Sequence, residues 1–144
     1  MLDVQRYRGA IYRGEIQFTR KVMWSHMITG AAVMAMFLFH EIFRWFLYSA
    51  LWYAGSLLLM YGLMCGRRHF RWLLALMFLG GAGAGVFFIN RVFPGMEPPR
   101  GPLVPHAVIP IWVGLMNVAY VAGALTMHLN PSVRRASHVG FTLW

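Results

Sequence analysis

The sequence predicts an all-α integral membrane protein of four transmembrane helices with both ends in the cytoplasm. Three observations predict it. Of 144 residues, 59% are hydrophobic and only 12% charged, against about a quarter charged in soluble domains. Apolar runs long enough to cross a bilayer recur along the chain. Basic residues gather at alternate ends of those runs, as the positive-inside rule requires. Four spans of about 20 residues use roughly 80 residues, which leaves an N-terminal arm, one longer loop and a short tail, with no room for a second folded domain.

Residues 1–21 form a basic arm, in which Val4, Tyr7, Ile11 and Phe18 fall at near-helical spacing with arginines around the rest of the wheel. That pattern fits a helix lying in the membrane interface or a partner-bound arm, and Gly9 and Gly14 weaken the helical form by about 1 kcal/mol each. No apolar core follows the first basic residues closely, so a cleaved secretory signal is not expected.

The membrane domain covers residues 22–130. From Val22 to Cys65 the chain is almost continuously apolar, and one helix of that length would run about 66 Å, over twice a hydrocarbon core. The chain must therefore fold back at its polar interruption, His40-Glu41 with Arg44, giving spans at about 22–40 and 45–65. This turn has no Gly, Pro or Asn to set its geometry, so a tight hairpin and a bent helix both remain open, and Glu41 with Arg44 one turn on makes at most a weak surface pair. Gly66-Arg67-Arg68-His69 breaks the chain again, and a third span follows at 72–90, ended by Pro94. Residues 94–105 hold five prolines together with Gly95 and Gly101, which favours an extended, polyproline-like external loop. The fourth span runs over 106–127. Asn130-Pro131 stops it, and 131–144 is a cytoplasmic tail.

This topology places Arg6, Arg8, Arg13, Arg20, Lys21, Arg67, Arg68, Arg71, Arg134 and Arg135 inside, against Arg44, Arg91 and Arg100 outside. The net charge of +9 thus reflects lipid headgroups and insertion rather than nucleic acid. Trp24, Trp45, Trp72 and Trp112 fall near span ends, where aromatic belts lie.

Small residues mark where helices meet. Gly81 and Gly85 on the third span, and Ala119 and Gly123 on the fourth, are small-xxx-small pairs that let another backbone approach closely. They suit contact between these two helices, self-association or docking on a partner. Asn117, in the middle of the fourth span, needs a hydrogen-bond partner in hydrocarbon, and Ser56 or Tyr61 could supply it.

The histidines offer the one candidate cofactor site. His26 and His40 are 14 residues apart, about 21 Å along one helix face, and that spacing resembles the two-haem helices of the dihaem cytochrome b families. The resemblance implies haem b with axial imidazoles, for which the fourth span offers His128 opposite His26 and His106 opposite His40. The latter two are separated by about 33 Å along their helix, so both pairs cannot lie level and one haem fits better than two. The simpler reading puts all four rings at interfacial depth, where they reach headgroups or water without a ligand.

No catalytic constellation, phosphate-binding glycine loop or metal spacing is visible, and Cys65 is a lone cysteine. The eleven methionines show no copper-binding pattern and read as packing residues. Small multidrug transporters are similar in span count but carry a carboxylate well inside their first helix, which this chain lacks. The expected function is therefore a non-catalytic structural or assembly subunit of a larger complex in a bacterial-type inner membrane, with other membrane subunits as partners and no nucleic acid. A haem b-binding redox or quinone-reactive anchor, and a small oligomeric channel or carrier, are the alternatives.

Overall fold

The structure, a computed structural model, describes residues 11–40, 42–98 and 105–142. The described residues form helices and their connections, without strands. In chain order these are α1 (Arg13–Phe39), α2 (Phe43–Met64), α3 (Phe70–Phe87), α4 (Val108–Leu129) and a short α5 (Pro131–Val139), with α3 continued by a π-helical turn (Phe88–Val92) and a 3-10 turn (Phe93–Gly95). Four segments, Arg13–Phe39, Phe43–Met64, Phe70–Gly95 and Val108–Leu129, are long and apolar enough to cross a membrane. The rest of the expected arm (1–10), Glu41, residues 99–104 of the proline-rich loop and residues 143–144 lie outside the described residues.

The first helix starts at Arg13 rather than near Val22, because its opening turns have something to pack against. Ile16 and Thr19 are buried, the Thr19 hydroxyl donates to the Glu15 carbonyl at 2.8 Å, and Glu15 pairs with Arg135 of α5 at 3.3 Å. At 27 residues, α1 is about 40 Å long, so its basic first turns extend past a hydrocarbon core of about 30 Å.

The turn after α1 is tight. The His40 N–H donates to the Met36 carbonyl at 3.2 Å, the Ile42 N–H to the Phe37 carbonyl at 2.9 Å, and α2 begins at Phe43 to pack back along α1. Beyond α3, Pro94 has no N–H to give one turn back, and the helix widens and then narrows over its last eight residues instead of stopping near Asn90. The tail is helical too. Asn130 caps α5 by accepting from the Ser132 N–H at 2.8 Å, Pro131 fits the first helical position, and Val133, Ala136 and Ser137 are buried. Gly140, at φ 76°, ends α5 with a turn that L side chains resist, and the Phe141 N–H then reaches the last carbonyl of α2, on Met64, at 2.9 Å.

The helices bury two apolar clusters, one at each end of the bundle. At the end carrying both described chain ends, Met23, Met60, Leu63, Leu74, Phe78, Met127 and Val133 pack together. At the other, Met36, Phe37, Phe88, Ile109 and Val113 form the second cluster, with Trp45 and Phe93 against it. The most extensive helix pair is α3 with α4, while α1 touches α2, α4 and α5. Leu58, Ile111, Val118 and Leu129 are among many large apolar side chains that face outward, Leu58 at 71% exposure. An outer surface of this kind suits hydrocarbon rather than water.

Candidate functional site

Between the two clusters lies a layer built from glycines and the polar aromatic side chains that fill their places. The Tyr53 ring of α2 lies where a Gly30 side chain would stand, and its hydroxyl donates to the Met27 carbonyl at 3.0 Å. The Trp52 indole covers Gly80 and Gly81, with Tyr120 of α4 against the latter. The Asn117 amide occupies the side-chain space of Gly85, and the Phe78 ring that of Gly123. Of the small residues expected to pack, Gly81, Gly85 and Gly123 thus receive side chains from neighbouring helices, while Ala119 is exposed along a groove between α1 and α4.

His26 sits at the basic side of this layer and is 7% exposed. Its Nε2 lies 2.8 Å from the Ser56 hydroxyl. That hydroxyl donates its own proton to the Tyr53 carbonyl at 2.7 Å, so it can only accept from histidine, and His26 carries its proton on Nε2. The ring centroid of Phe78 is 4.2 Å away, with Tyr120 at 5.8 Å and Tyr53 at 6.2 Å. Ser56 is therefore occupied by His26 and Tyr61 is exposed, so neither is the partner of Asn117. Asn117 instead borders a cavity of about 130 Å³ that Trp45, Trp52, Trp112, Tyr53 and Tyr120 also line. A groove of about 310 Å³ opens on the other side of Tyr120, where His26 is bordered by Lys21, Ser25, Thr29 and Thr126.

The other histidines lie apart from this layer. His128 is exposed and meets Trp72 edge to face, with centroids 4.2 Å apart. His40 ends α1 and is 6% exposed. Its Nδ1 donates to the Met36 carbonyl at 2.9 Å, which leaves Nε2 as a buried lone pair without a partner. His106 precedes α4, stacks on Phe93 with centroids 4.7 Å apart, and has a buried, unpartnered Nδ1. No ring contact joins His26 to His128 or His40 to His106 among the described residues. No group of three or more metal-ligating side chains forms among them either.

Sequence reading missed the Tyr53–Gly30 and His26–Ser56 pairs, which join α1 to α2. Only the small residue at position 30 and the polar one at 56 marked the places, and neither names its partner. Comparison with known proteins adds nothing to this geometry: no protein family model, curated protein or solved structure matches the chain.

Proposed function

We propose that this chain is a non-catalytic subunit of a larger inner-membrane assembly, with its basic end in the cytoplasm. The observation that carries the reading is the open space at Gly83 of α3 and Gly114 of α4, where an added methyl group meets nothing within 4 Å. Neighbouring glycines are filled from inside the bundle, and these two are not. Small residues in lipid let a second helix approach closely enough for dispersion contacts to hold it, so both positions suit a helix supplied by another subunit. Leu76, Leu79, Val86 and Phe87 on α3 and Ile111, Leu115 and Val118 on α4 provide exposed apolar surface around them.

The test is to purify the tagged chain from its native membrane in mild detergent, with and without Gly83→Leu and Gly114→Leu. A side chain added at either position starts from a Cβ that meets nothing within 4 Å, so the bundle itself should be as stable as before, while stoichiometric partners should fall away. A chain that purifies alone and monodisperse overturns the reading. The orientation is supported by the basic end itself, where Arg13, Arg20, Lys21, Arg67, Arg68, Arg71, Arg134 and Arg135 gather, against Arg44 and Arg91 at the far end among the described residues. Cys65 is a free, exposed thiol in the loop at that basic end, so a membrane-impermeant maleimide should label it only after permeabilisation.

A second reading, a haem b-bearing subunit, is favoured by the far end of the bundle. His40 presents an unprotonated Nε2 while its Nδ1–H is held by a backbone carbonyl, the arrangement that orients metal-ligating histidines, and His106 has its own unpartnered Nδ1. These two would hold the iron, and the haem would supply one-electron redox chemistry. A reduced-minus-oxidised absorption spectrum decides it: an α band that His40→Ala and His106→Ala each abolish supports this reading, and a colourless chain expressed with adequate haem removes it.

A further inference from the structure

The first turn of α3 buries a positive charge that no carboxylate among the described residues neutralises. Arg71 is 9% exposed, and its Nε and Nη1 are sealed from solvent without a hydrogen-bond partner. Its guanidinium lies 5.5 Å from the centre of the Trp72 ring, a contact that offers a cation some attraction but accepts none of its N–H bonds. A second cation, Arg134 of α5, repels it rather than neutralising it. Glu15 is the one carboxylate among the described residues at this end, and it pairs with Arg135. The N-terminus of α3 adds its own positive dipole end at the same place.

A buried guanidinium without acceptors is strongly unfavourable, and an arrangement that also brings up a like charge is made tolerable by an anion. We propose that Arg71 and Arg134, flanked by Trp72, bind a phosphate group, presented at this end of the bundle by the headgroup of an anionic phospholipid. A guanidinium N–H makes a charge-assisted hydrogen bond to a phosphate oxygen. Nη2 is not among the sealed atoms and is the nitrogen that the anion reaches. Trp72, half exposed beside it, marks the depth of the membrane interface, where headgroup phosphates lie and where the apolar part of α3 begins.

The test uses the full chain in detergent, with native mass spectrometry to measure binding of phosphatidylglycerol and of phosphatidylcholine. The native chain should retain phosphatidylglycerol preferentially. Arg71→Gln should weaken that binding about tenfold or more, as expected for a lost charge-assisted hydrogen bond, and Arg71→Lys should recover part of it because the charge remains. Arg134→Gln, on an exposed residue whose loss leaves the bundle folded, should weaken it severalfold, whereas Arg44→Gln at the far end should leave it unchanged. Competition by millimolar inorganic phosphate would support the phosphate site and assign it to a soluble source. Equal retention of both lipids by the native chain, or undiminished phosphatidylglycerol binding in Arg134→Gln and Arg71→Gln alike, would overturn the proposal.

Discussion

Replacing Gly30 with alanine puts a methyl group inside the space of the Tyr53 ring, well within van der Waals contact of its Cδ2 and Cε2 atoms. The ring cannot yield cheaply, because its hydroxyl is tied to the Met27 carbonyl of the same helix that carries Gly30. Overpacking of this kind costs about 1–3 kcal/mol, and the displaced interhelical hydrogen bond adds about 0.6 kcal/mol in a membrane protein. Alanine's better helix propensity returns about 1 kcal/mol, so the net loss should be about 0.6–2.6 kcal/mol. At Gly83 the same change meets empty space and keeps only the propensity gain, so the isolated chain should be stabilised by up to about 1 kcal/mol. The assay is reversible unfolding in mixed micelles of dodecyl maltoside and SDS, followed by tryptophan fluorescence. A control removes the obstacle: in a Tyr53→Ala background, Gly30→Ala should cost nothing further. If Gly30→Ala alone proves as stable as the native chain, the packing argument for the middle layer is wrong.

Other outcomes follow from single contacts. A double-mutant cycle on His26→Ala and Ser56→Ala, scored by the same unfolding assay, should give a coupling of about 0.6 kcal/mol and no more than about 1.7 kcal/mol, since the bond at 2.8 Å is buried but competes with other partners in the unfolded chain. Asn130→Ala removes the cap of α5 and should cost about 1 kcal/mol, read as roughly fivefold faster amide exchange over residues 131–139. Glu15→Gln should shift stability by less than about 1 kcal/mol, because Arg135 is 62% exposed and such pairs are screened by solvent; a larger loss in the melting curve would show that α5 is held by charge rather than by Val133 and Ala136.

The parts of this protein that were legible in the sequence are those that depend on the solvent. Backbone groups in hydrocarbon must bond within their own segment, so apolar runs about as long as a bilayer is thick read as helices of spanning length. Length and composition therefore predicted four apolar spans without any knowledge of which helix touches which. Boundaries were less legible wherever packing set them. Arg13 to Lys21 read as a separate arm because its residues are polar, yet Ile16 and Thr19 find α5 to bury against, and the helix runs through. The helix in the tail was not legible either, since one amphipathic helix of nine residues is marginal alone and is stable only where the bundle covers Val133 and Ala136.

Side-chain partnership was decided by the tertiary structure alone. The glycine pattern on α3 and α4 marked surfaces able to accept a neighbour, but a glycine carries no record of what fills its space, whether Trp52 over Gly80, Asn117 over Gly85 or nothing at Gly83. The histidine spacing carried no record of surroundings, and the fold supplies them: a serine for His26, a tryptophan edge for His128, and a buried ring nitrogen without a partner at each of His40 and His106. Arg71 shows the difference most sharply. By sequence it was one of ten cations on the basic side, counted only for its sign. What sets it apart is burial without an acceptor, and burial is a property of the packed bundle that the order of residues in the chain does not display.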